Sequence, residues 1–100
     1  MLARLHVIIS SEIDKDINTV KQILLQINPE FSISPARDYQ GLKEHSEFYC
    51  TFKIHENEIQ SLLDKLNDDW EGEREDCICY GFNTKMFHEL VYYLEFTLFD

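Results

Sequence analysis

Residues 48–66 read FYCTFKIHENEIQSLLDKL, and the change of hydrophobic period inside them decides the fold class. Phe48, Cys50, Phe52 and Ile54 alternate with Tyr49, Thr51 and Lys53, the period of a strand with one buried face. Ile59, Leu62, Leu63 and Leu66 then recur at helical spacing, with Glu56 and Glu58 near the start, where the helix macrodipole favours acids. A strand leading straight into an amphipathic helix predicts an α+β domain.

The same two periods occur upstream. Ala3, Leu5, Val7 and Ile9 alternate with Arg4, His6 and Ser10, which predicts a first strand. Ile8 interrupts its polar side, as in a central strand partly covered on both faces. Ser11 stands ahead of Asp14 at the spacing of a weak capping box. Ile13, Ile17, Val20, Leu24 and Ile27 form one helical stripe, ended by Asn28 and Pro29, so the spacing predicts a helix over 13–27. Phe31 and Ile33 give a short strand that Pro35 stops or confines to an edge. Residues 35–46, PARDYQGLKEHS, read as a hairpin loop.

Downstream, Ile78, Tyr80 and Phe82 alternate with Cys77, Cys79 and Gly81 as another strand. Met86, Phe87, Leu90 and Val91 fit one or two helical turns, which leaves 84–91 open between helix and loop, while YYLEFTLF (92–99) fits a closing strand. In order, this is β-α-β-β-α-β with an extra C-terminal strand. The expectation is a single domain over residues 1–100, a ferredoxin-like sandwich with two helices on one face of an antiparallel sheet.

Composition narrows the function. With 44% apolar residues and 13% aromatics, a chain of 100 residues can bury its own core. The net charge is −10 and lopsided: the first fifty residues carry seven acids against five bases, the last fifty twelve against four. Such a field repels nucleic acid and anionic membranes and attracts basic surfaces. Phosphate neutralisation needs Lys and Arg, so no nucleic-acid partner is expected. The start, MLARLHVIISSEIDKD, turns acidic at once and lacks a small-residue cleavage site, so it does not read as a signal peptide. No stretch reaches the roughly 18 apolar residues of a membrane span. An odd cysteine count, Cys50, Cys77 and Cys79, argues against a disulfide framework, and the expected location is cytoplasmic.

The residue types that carry chemistry are present, but their spacing is not. Cys50, His55, Cys77, Cys79 and His88 lack the close pairs of a tetrahedral site. Cys77 and Cys79 on a strand would point both sulfurs to one face, as buried hydrophobes do. His6, His45, His55 and His88 have no local nucleophile or oxyanion donor beside them. Ferredoxin-like ligand sensors often use a Gly-bearing loop after the first strand, and acylphosphatases of that topology a Gly-rich anion cradle with an arginine. Here the loop is SSEID. Calcium-loop spacing is also missing. No enzyme activity, cofactor or metal is expected. Small-ligand sensing by a regulatory domain is the alternative to protein binding.

One stretch stands out, residues 67–80, NDDWEGEREDCICY. Asp68, Asp69, Glu71, Glu73, Glu75 and Asp76 surround Trp70, the one tryptophan, with Arg74 as the sole positive charge among them. A solvated turn is the plain reading, with Trp70 sealing the core edge. Yet like charges this dense destabilise a fold, and an aromatic ring among them suits an interface anchor. The expected site is therefore a docking surface for a Lys- or Arg-rich protein: the six acids steer, and Trp70 and Tyr80 anchor.

These residues, with acids at Glu56, Glu58 and Asp64 and tyrosines at Tyr80, Tyr92 and Tyr93, carry a resemblance. In length, acidity, aromatic content and absence of a catalytic motif, the chain resembles small bacterial immunity proteins. In particular it is similar to those of contact-dependent growth inhibition systems, which share no diagnostic motif. The resemblance implies a one-to-one complex with a cognate toxin, often a nuclease, whose active site or substrate surface is blocked.

Overall fold

The computed structural model describes residues 1–99. Seven strands and two α-helices follow one another as β1 (Leu2–Ile9), α1 (Asp14–Ile27), β2 (Ser32–Ile33), β3 (Arg37–Asp38), β4 (Ser46–Lys53), α2 (Ile59–Leu66), β5 (Glu71–Glu73), β6 (Asp76–Tyr80) and β7 (Val91–Leu98). A single 3₁₀ turn, Glu56–Glu58, leads into α2. The class is α+β, with every strand pair antiparallel.

The sheet runs β2-β4-β1-β7-β6-β5, with β3 also paired to β4. This order corrects the expected ferredoxin-like plan, in which the strand after the second helix lies beside β1. Here β7 takes that place, and β6 lies one position further out. Composition explains the exchange. β7 brings Val91, Leu94 and Phe96 to the core, whereas the shorter β6 brings Cys77 and Cys79, and the longer apolar strand gains more by filling the middle. β5 was not expected from its sequence, Glu-Gly-Glu. It forms because Glu71, Gly72 and Glu73 pair with Ile78, Cys77 and Asp76 across a two-residue turn at Arg74 and Glu75.

The core is one buried cluster. Leu5, Val7 and Ile9 meet Phe48, Cys50 and Phe52 of β4, and Leu94 and Phe96 of β7. Ile17, Val20 and Leu24 of α1 join the same cluster, as do Ile59, Leu62, Leu63 and Leu66 of α2. Ile13 does not; it is the N-cap of α1 and 64% exposed. Ser11 therefore does not occupy the cap position. Its hydroxyl donates to Asp16 at 2.7 Å and accepts from the Ile13 N–H at 3.0 Å, which fixes the chain just before the helix.

Pro35 separates β2 from β3, so the edge along β4 is interrupted where an amide donor is missing. Residues 84–90 form turns, not a helix. They are pinned to the end of α2 by the buried Asn67, whose side-chain amide donates to Thr84 Oγ1 at 2.7 Å and Met86 Sδ at 3.0 Å. Phe87 N–H adds a bond to Leu66 O at 2.9 Å.

Candidate functional site

Directly paired residues share a sheet face, so the register places every side chain turned away from the core. One row reads Glu71, Ile78, Glu95, His6 and Tyr49; the next reads Glu73, Asp76, Thr97, Arg4 and Thr51. The third reads Tyr80, Tyr93, Ile8, Glu47 and Arg37. Acids gather at the β5 edge, aromatics and His6 in the middle.

The acidic stretch therefore divides in two. Asp68, Asp69 and Trp70 stay with α2. Trp70 is half-buried against the core, and its indole N–H donates to Leu63 O at 3.0 Å. Asp68 Oδ1 accepts from the Lys85 N–H at 3.0 Å, and the Asp69 N–H donates to Asn67 Oδ1 at 2.9 Å. With Gln60, Asp64 and Arg74, these residues line a groove of about 240 Å³. Glu71 and Asp76 lie on the other side, on the face that carries Tyr80; Glu73 pairs with Asp76 there and also lines the groove at the hairpin's edge. All six carboxylates are exposed. Arg74, the cation among them, is itself held by Glu56 at 3.0 Å and Glu75 at 3.8 Å.

Tyr80 sits at the centre of an aromatic group with Phe82, Tyr92 and Tyr93, at centroid distances of 5.3, 6.0 and 5.1 Å. A β-bulge builds it. The register slips between Ile8 and Ile9, whose β7 partners are Tyr93 and Val91, so Tyr92 is the extra residue and two consecutive tyrosines reach the Tyr80 ring. His45 meets the Tyr92 ring edge-on at 5.2 Å and so docks the 39–45 loop over this face. The result is an open cleft of about 450 Å³, floored by Ile8 and walled by Tyr39, Leu42 and the tyrosines, with Glu95 and His6 at one side. The alternation of Tyr93, Glu95 and Thr97 in the sequence held a signal for this cleft, but Tyr39 and Glu95 become neighbours of Tyr80 only through the strand order.

His6 stacks on Tyr49 at 4.5 Å, and its Nε2 lies 2.7 Å from Glu47 Oε1. Glu47 is 7% exposed, and its second oxygen accepts from Arg37 Nε at 3.0 Å. Burial raises the Tyr93 phenol to about 12, reinforced by Glu95 and the neighbouring Tyr80 and Tyr39.

The remaining histidines are engaged locally. His45 Nδ1 donates to Lys43 O at 2.8 Å, the backbone N–H of His55 donates to Glu58 Oε1 at 3.1 Å, and His88 Nδ1 accepts from the Leu90 N–H at 3.1 Å. Cys50, Cys77 and Cys79 are buried in the core, and burial pushes each thiol up to about 12. Among the described residues, no group of three His, Cys, Asp or Glu is placed to hold a metal ion, and no helix is long and apolar enough to cross a membrane. No family model matches the chain, and no curated protein and no solved structure shows a significant match.

Proposed function

We propose that this protein is a non-enzymatic, acidic binding module that holds a basic protein, and that the partner is a bacterial toxin domain which it neutralises. What carries the reading is the exposure of all six carboxylates between Asp68 and Asp76, from the end of α2 to the β5–β6 edge of the sheet, with Arg74 already engaged by Glu56 and Glu75. A nuclease fits best among toxins, because it must be basic where it grips phosphate. Acids on both sides of the β5–β6 hairpin would steer the encounter, and the aromatic side chains beside them would slow its reversal. We also read the sheet as a ferredoxin-like plan that has taken in an extra hairpin, with β7 serving as its closing strand; the β2-β4-β1 order supports this.

The test is association with any toxin domain that a neighbouring gene proves to encode, followed by stopped flow at low and moderate salt. Glu71→Lys, Glu73→Lys and Asp76→Lys together are expected to slow association by about 10–100-fold and to flatten its salt dependence. Equal rates would remove the hairpin from the mechanism, and a wild-type protein that leaves that domain unbound and active would end the reading.

A further inference from the structure

Electrostatic steering brings a basic partner close without saying which of its groups is gripped. The open sheet face answers that. The cleft over Ile8 is walled by Tyr39, Tyr80, Tyr92 and Tyr93, and Glu95 stands at its side, half-buried beside His6. Aromatic faces on several sides together with one carboxylate form the arrangement that attracts a cation, through ring quadrupoles and an ion pair at once. On the same sheet face, Glu95 shares a row with Ile78 and Glu71, and the neighbouring row carries Thr97, Asp76 and Glu73.

We propose that this cleft is a receptor for an arginine side chain of the basic partner, a reading that rests on the protein-binding function above. The choice of arginine comes from the same face. The Arg4 guanidinium already lies 4.9 Å from the Tyr49 ring centre and 5.2 Å from that of Phe99, so this surface accommodates a planar cation between rings. A guanidinium stacks flat on tyrosine and offers a fork of N–H donors that matches a carboxylate, whereas an ammonium presents a strongly hydrated point charge. The tyrosine hydroxyls can accept the remaining donors. Tyrosine hydroxyls are neutral at physiological pH, so Glu95, which lies 3.9 Å from His6 Nδ1, supplies the carboxylate of the cleft.

The experiment titrates the purified chain with N-acetyl-arginine methylamide and, separately, with its neutral citrulline isostere, following tyrosine ring signals by NMR. Saturable shifts of the Tyr80, Tyr92 and Tyr93 rings are expected with arginine and not with citrulline. Glu95→Gln keeps the shape and is expected to weaken the arginine response about fivefold, and Tyr92→Leu to weaken it comparably. Circular dichroism on both variants checks that the fold persists. Equal responses to the two probes, or an unchanged response in Glu95→Gln, would overturn the proposal. Arginine-induced shifts confined to residues 68–76 would also overturn it, while leaving the acidic module reading intact.

Discussion

Glu47 is the residue whose loss should reach furthest. It is buried on the exposed side of the sheet, and its two oxygens hold His6 and Arg37. Glu47→Ala takes the 2.7 Å partner from the half-buried His6 and leaves it Glu95 at 3.9 Å, and a loss of about 1–3 kcal/mol in urea denaturation is expected. A change within the scatter of surface substitutions would show that the pair contributes little. The thiols give a second expectation. Cys50, Cys77 and Cys79 are raised from 9.0 to about 12 when folded, so between those values the unfolded chain has lost protons that the folded chain keeps. Their contribution to stability is complete below pH 9 and is lost as the pH climbs toward about 12. The denaturation midpoint should fall over that window, and alkylation at neutral pH should proceed only as fast as the chain opens. Rapid labelling of the native protein would contradict their burial.

At the scale of elements, the β5–β6 hairpin depends on Gly72. Its φ is +112°, and a Cβ there would stand 2.7 Å from Asp76 O. Gly72→Ala is expected to cost about 1–3 kcal/mol and to loosen the hairpin amides in hydrogen exchange. Exchange protection unchanged from wild type would refute this. Asn67→Ala removes the donor to Thr84 and Met86 and should release the 84–90 turns in the same experiment. These two features mark the limit of what periodicity conveys. β1, α1, β4 and α2 were legible because each alternates or repeats on one face over at least two turns or pleats. β5 was not, since Glu-Gly-Glu has no apolar member and pairs only because its neighbour is already a strand. The acidic patch was legible as a cluster along the chain. Its division between two sides of the sheet was not, because that follows from Gly72 and the turn at Arg74 and Glu75. The bulge at Tyr92 likewise breaks the two-residue period at the point where two tyrosines converge.

Across the whole molecule, the net charge of −10 opposes compaction while it draws a basic partner. Added salt should therefore raise the melting temperature of the free protein, since screening shortens the reach of like charges. The reversals at Glu71, Glu73 and Asp76 should raise it too, while slowing capture; a fall in melting temperature would show that those acids are relieved within the fold. Strand order has a further consequence. β7 is the last strand in the chain yet a middle strand of the sheet, flanked by β1 and β6. The seam that joins the two halves of the sheet therefore closes over nearly the whole length of chain between Ile9 and Val91, the longest loop any strand pair here must close. Its formation is expected to limit refolding, and substitutions that weaken the β1–β7 pairing should slow refolding more than substitutions in the β5–β6 hairpin.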